Sequence, residues 1–265
     1  MAQVSVELVE RHVSRSSLLS RAWKLLQEDL EVQELLYMSN VNAVTRLLYN
    51  DHGPVHARIV TGSALEIFEL LLESGVQPSS ITHGIVESDE QARLIVLLGA
   101  YLHDIGNSLH RVNHELAGAF IAKGILDRLL PIILERRDGL VYRIRSEVMH
   151  AIYATAMDVD ALTIEASIVK VADATDMAEG RARIPYMKGK SDIHALSALS
   201  IKKVNITSGS VRPLRIEVYM EDYAGIFQVE RVLMPKIRTS LIGEYIEIVP
   251  RLMRDSSIHL NPIYP

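Results

Sequence analysis

The 265-residue sequence contains no cysteine. That absence excludes disulfides, thiolate metal sites and cysteine nucleophiles together, and it leaves histidine and carboxylate as the strong metal-binding side chains. It is compatible with a reducing interior. An excess of basic charge is missing too: 28 Lys and Arg stand against 33 Asp and Glu, for a formal net charge of -5. A face that neutralises a run of phosphates needs the opposite balance, which argues against nucleic acid as a partner. No stretch approaches the roughly 18 apolar residues of a membrane span, and the charged segment MAQVSVELVERHVSRSS lacks the apolar core of a signal peptide. The expectation is a soluble, cytoplasmic chain with no membrane partner. Repeats and low-complexity tracts are also absent. What remains is ordinary globular composition, 48% hydrophobic and 23% charged, enough for one generous domain or for one domain with a smaller appendage.

Apolar residues recur at three and four spacings from about Glu7 to Tyr49, the signature of amphipathic helices. NDHGPVHARIVTGSALEIFELLLESG opens with Asp51 as a cap, places Pro54 in the first turn and closes at Gly75, so His56 lies in the first turns of a helix. ARLIVLLGAYLHDIG is apolar on nearly every side until His103 and Asp104, and reads as a buried helix. Further helices are expected from NHELAGAFIAKGILDRLL up to Pro131, from about Leu140 to Ala156, and from Ile164 to Gly180. From Ile201 the texture changes. IKKVNITSG and PLRIEVYM alternate apolar and polar residues around a turn at Gly209 to Pro213, and YIEIVPRL offers a third strand. Between them AGIFQVERVLMPKIRTSLIG reads as helical on either side of Pro235. The fold class expected is mainly α: a helical bundle over residues 1–190 and a small α+β appendage over 191–265, divided in the polar stretch RIPYMKGKSD. No catalytic signal is evident in the appendage, whose strands could extend a sheet across the interface of a homo-oligomer.

Within the helical part, chemistry-bearing side chains follow one order: His56, His103 with Asp104, His114, His150, then Asp173. Imidazole nitrogen and carboxylate oxygen suit divalent transition metals, and a carboxylate beside a histidine can bridge two ions. Ligands drawn from separate helices can converge in a bundle core.

The order H, HD, H, H, D, with HDIGN closing an apolar helix, resembles the HD-domain superfamily of metal-dependent phosphohydrolases over roughly residues 50–180. The resemblance implies that His56, His103, Asp104 and Asp173 are core metal ligands, with Asp104 placed to bridge and central to catalysis. NHELAGA is similar to the "His-Glu then Gly-Ala" element of that family, which implies that His114 and His150 hold a second ion in binuclear members. His110 competes with His114 for that role. The cofactor implied is one or two divalent ions per chain, from Mn, Fe, Zn, Co, Ni or Mg. HDIGN followed by HRVNHE is similar to a group of HD proteins for which the resemblance supplies no substrate. The pattern departs from the cyclic-dinucleotide phosphodiesterase type: Asn107 stands where Lys is common, and no GYP follows.

Other candidates surround this set. His110 lies seven positions beyond His103, but Gly106 and Asn107 end the helix first, so a pocket or substrate contact suits it better. Asp176, three residues after Asp173, is a candidate oxygen partner for a ligand histidine. Lys170, Arg181 and Arg183 could clamp a substrate phosphate, although Arg beyond a helix C-terminus is also a routine partner of the helix dipole. Arg58 and Arg111 are weaker candidates of the same kind. His12, His52, His83, His194 and His259 lie in polar settings or outside the motif order and read as structural. The function expected is hydrolysis of a small phosphorylated substrate, a nucleotide or another phosphate mono- or diester. A di-iron oxygenase using the same ligands and a non-catalytic nucleotide-binding sensor stay open as alternatives.

Overall fold

The computed structural model describes residues 1–178, 193–253 and 261–265. It is mainly helical with a small four-stranded sheet. The chain opens with strand β1 (Ala2–Gln3), followed by α1 (Leu8–Val13), α2 (Ser17–Glu28), α3 (Leu30–Asn40) and a π-turn (Val41–Arg46). Then come α4 (Pro54–Glu73), the short α5 (Ser79–Thr82), α6 (Asp89–Leu102), α7 (His114–Leu134), α8 (Gly139–Tyr153) and α9 (Ile164–Thr175). Polar residues start these helices where backbone N–H groups need acceptors: the side chains of Ser16, Asp29, Ser88, Asp138 and Thr163 each accept an N–H of the first turn. At α4 the cap is Gly53 with Pro54 behind it, while Asp51 Oδ1 accepts from the Gly53 and His56 N–H groups at 3.1 and 3.4 Å.

Helix α6 is the axis of the bundle. Ala92 and every residue from Leu94 to Leu102 are buried, and the helix packs on α2, α4, α8 and α9. Its all-round apolar surface leaves no face for water, so the polar pair His103 and Asp104 comes only where the helix ends. There the chain turns through a 3-10 segment (Ile105–Ser108) and enters α7 through Asn113, whose φ of 57° lies in the left-handed region that Asn tolerates. Gly106 permits this turn. A Cβ on it would lie 1.9 Å from the His114 carbonyl oxygen and 2.5 Å from the Gly118 nitrogen, so the start of α7 can close on the HDIGN turn only where a side chain is missing.

Two expected helix ends shift. Helix α7 continues through Pro131 to Leu134, because a proline in the last turn forfeits little of the helix behind it. Helix α9 stops at Thr175, and Asp176 leaves it with φ -81° and ψ 70°, so Asp176 does not share a helical face with Asp173.

After α9 the described chain resumes with α10 (Ile193–Ser200), β2 (Ile201–Ser208) and β3 (Leu214–Met220). It then runs through α11 (Ile226–Gln228), a π-turn (Val229–Leu233) and α12 (Met234–Arg238) into β4 (Ile246–Leu252). The sheet order is β1-β2-β3-β4. β2 and β3 are antiparallel, with Val204 opposite Val218, whereas β3 and β4 are parallel, with Ile216 opposite Ile248. Parallel neighbours need a crossover, and α11 with α12 forms it. Strand β1, unread in the sequence because two residues carry no periodicity, pairs Ala2 with Ile206. Buried apolar side chains of bundle and sheet join one cluster, from Val9 and Leu97 to Ile216 and Ile248.

Two expected outcomes follow from this packing. Gly106→Ala forces the Asp104 turn and the His114 helix apart and should cost about 3 kcal/mol or more, the overpacking range or beyond it; chemical denaturation of the purified variant measures it. Away from this turn, burial and then the nearby Glu165 carboxylate raise the pKa of Glu147, and an oxygen of each is buried without a hydrogen-bond partner among the described residues. A folded-state pKa above the unfolded value makes Glu147 a contributor below the ordinary carboxylate range and a liability as pH rises through the raised value. Glu147→Gln should therefore raise the melting temperature at neutral pH and flatten its decline as pH rises above the ordinary carboxylate range; an unchanged profile would remove the carboxylate contact from the account.

Candidate metal centre

The end of α6 meets the first turn of α4 and the last turn of α9. His56 Nε2 lies 3.2 Å from His103 Nε2 and 3.2 Å from Asp173 Oδ1. His103 Nε2 lies 3.5 Å from the same Asp173 oxygen, and Asp104 Oδ2 is 3.4 Å from each imidazole Nε2. Both histidines are about 1% exposed and Asp104 about 3%. Each ring is tied at its other nitrogen: His103 Nδ1 donates to the Ala100 carbonyl at 2.8 Å, and His56 Nδ1 donates to Asp176 Oδ2 at 2.7 Å. With the proton on Nδ1, each Nε2 presents a lone pair. Two lone-pair nitrogens and two carboxylate oxygens thus face one another at the end of the buried helix, and Asp104 Oδ2 has no hydrogen-bond partner among the described residues.

Four converging acceptors repel unless a cation or a proton lies among them. Adjacent ligands on an ion with bonds of about 2.1 Å lie about 3.0 Å apart in an octahedron and about 3.4 Å apart in a tetrahedron, close to the observed spacings of 3.2 to 3.5 Å. Among the described residues, His56, His103 and Asp173 form a group that could hold a metal ion; Asp104 Oδ2 adds a fourth donor beside it. The field there is negative. Burial alone would lower the pKa of His103, yet Asp104 and Asp173 hold it up to about 10. Burial opposes ionisation of both aspartates as well, but His103 and His52 hold Asp104 well below the usual carboxylate range, and Lys236 and His103 do the same for Asp173.

The turn that presents Asp104 is clamped from α3 and its π-turn. Ser39 Oγ donates to the Asp104 carbonyl at 3.1 Å, and Asn42 Nδ2 donates to the Asn107 and Ser108 carbonyls at 2.7 and 2.9 Å. Asn107, in the position where lysine is common, donates Nδ2–H to Asp104 Oδ1 at 2.9 Å.

A cavity of about 550 Å³ opens beside the cluster, with Asp104, Asp173 and Asp176 in its wall. His114 lines it with Nε2 3.3 Å from Asp104 Oδ1, and Arg111 lines it too, with Nη1 2.8 Å from His114 Nε2. Other candidates lie elsewhere. His150 is not gathered here: its Nε2 accepts the Leu162 N–H at 3.0 Å, so the lone pair a metal would need is spent on backbone. His110 is exposed, its Nδ1 accepting from Val112 N–H at 3.0 Å. Lys170 is fully buried, and its ammonium donates to the Ala156 and Val159 carbonyls at 2.9 and 2.5 Å; it staples α9 to a loop instead of facing a phosphate. Arg58 pairs with Glu10 and lies over the Trp23 ring. Arg181 and Arg183 lie outside the described residues.

Two residues in the wall escape sequence reasoning. His52 lines the cavity with its ring centroid 5.7 Å from that of His56, although its polar setting reads as structural. Lys236, on α12, reaches Asp173 Oδ2. The C-terminal segment therefore supplies a cation to the centre, which corrects the expectation that it holds no chemistry. Only the spacing of DHGPVH around a helix start hints at the former, and nothing in the local sequence announces the latter.

The family profile described as HD domain matches residues 62–178, a stretch that includes His103, Asp104, His114 and Asp173 while His56 precedes it. An uncharacterized protein of Methanocaldococcus jannaschii, MJ1020, is 41% identical over 239 residues, covering 89% of this chain and 91% of its own length. The chain belongs to the HD-domain family. No solved structure matches it. In this HD-domain protein no helix among the described residues is long and apolar enough to cross a membrane.

Asp176 offers a sharp test of the geometry. It fixes the His56 tautomer from outside the cluster, so Asp176→Asn should weaken divalent-metal binding about 10- to 100-fold, the range for removing such a partner, while leaving the fold intact. Competition against a chelator, with circular dichroism in parallel, measures both; unaltered affinity would detach Asp176 from the centre.

Proposed function

We propose that this HD-domain protein is a metal-dependent phosphohydrolase acting on a small phosphate ester, a nucleotide or another mono- or diester. The observation that carries the reading is the buried Oδ2 of Asp104, without a hydrogen-bond partner among the described residues, between two imidazole lone pairs and set at the wall of a cavity of small-molecule size. His56, His103, Asp104 and Asp173 would hold a divalent ion there. Such an ion supplies a Lewis acid for a phosphoryl oxygen and a nucleophile usable at neutral pH.

The remaining roles fall to the chain. Asp176 and the Ala100 carbonyl keep the protons of His56 and His103 on Nδ1 and so keep both Nε2 atoms free of them. Asn107 and Ser39 set the orientation of Asp104. Arg111 and Lys236 give the cavity wall two cations against which the oxygens of a phosphate group can settle, the guanidinium by paired N–H groups and the ammonium as a point charge.

The test begins with protein purified without added metal. Elemental analysis should find a divalent transition metal, and a panel of phosphate esters assayed with that metal restored should release inorganic phosphate or a monoester from at least one. Asp104→Ala should then lose both metal retention and turnover while keeping its helical circular dichroism. Full metal content and full activity in that variant would sink the assignment.

A further inference from the structure

The resemblance leads one to expect a second ion held by His114 and His150. Among the described residues that half of the centre is poor in ligands, since His150 is engaged by Leu162 N–H. What stands against His114 instead is a cation belonging to the chain. Arg111 Nη1 donates to His114 Nε2 at 2.8 Å and lies 3.3 Å from Asn107 Oδ1, with its guanidinium over the Tyr49 ring. His114 Nδ1 is 2.9 Å from both the Arg111 carbonyl and Glu115 Oε2. His114 Nε2 faces the guanidinium at 2.8 Å and Asp104 Oδ1 at 3.3 Å, so both ring nitrogens are already engaged by atoms of the chain. The outer oxygen of Asp104 is likewise served from within, by Asn107 Nδ2–H at 2.9 Å.

We infer that the centre holds a single divalent ion, at His56, His103, Asp104 and Asp173, and that the Arg111 guanidinium takes the place of a second ion beside His114, where it meets the anionic substrate. The inference rests on the phosphohydrolase reading for the identity of that substrate. Its metal count does not.

Ion counting on the metal-free full-length chain decides it. Titrated with Mn²⁺ to saturation and freed of excess metal, the wild-type chain should retain one ion, and Arg111→Lys, which keeps a cation in place, should also retain one. Arg111→Ala should take up a second, weaker ion, and Arg111→Ala combined with His114→Ala should return to one. Arg111→Gln serves as the neutral variant if the alanine form does not fold, as judged by circular dichroism. Two ions in the wild type overturn the inference and leave the phosphohydrolase reading standing. So does a neutral Arg111 variant that stops at one ion at saturating Mn²⁺. A wild type that retains none overturns the metal reading itself, and this inference with it.

Discussion

Everything in this protein is arranged around an electrostatic misfit at the end of α6. Two imidazole lone pairs and two carboxylates are brought together at the buried wall of a cavity, and a buried carboxylate oxygen costs several kcal/mol if nothing answers it. The bundle tolerates that cost because α6 is buried from Leu94 to Leu102 and the turn beyond it is clamped by Ser39 and Asn42. A divalent ion then becomes a structural need as much as a chemical one, and binding free energy and folding free energy become hard to separate.

The surrounding polar residues divide into those that aim the ligands and those that balance charge. Ser39, Asn42 and Asn107 act on the turn that carries Asp104. Asp176 acts on His56 from beyond the end of α9. Lys236 and Arg111 stand on the outer sides of Asp173 and His114. Of the aiming contacts only that of Asn107 is local in sequence: Ser39 reaches Asp104 and Asn42 reaches Asn107 across 65 positions each, and Asp176 reaches His56 across 120; Lys236, the more distant of the two cations, comes from the crossover between β3 and β4.

That division explains what was legible in the sequence. The helices were readable because their apolar spacing and caps are local signals, and the mainly α class with a small sheet followed from where the period changed near Ile201. His103 and Asp104 stood out because a polar pair ended an otherwise apolar helix, and His56 because Pro54 marked a helix start. Contacts made by long side chains were not readable. Lys170 carries the right charge at the right spacing from Asp173, yet its stem buries and its ammonium turns to carbonyls. His150 keeps the family order but gives its lone pair to a backbone N–H. Lys236 is 63 positions from Asp173, a pairing that only the fold creates, and the two residues of β1 are too few to show alternation.

The parallel pairing of β3 with β4 has a consequence in time. The segment that carries Lys236 is a crossover anchored at both ends by strands of one sheet, and its far anchor begins at Ile246. During synthesis the bundle residues through Asp173 leave the ribosome well before that anchor does, and domains acquire structure in the order in which their chain emerges. The four acceptors are therefore all synthesised before the strand that anchors the Lys236 crossover, and the Lys236–Asp173 pair is completed by the last part of the sheet.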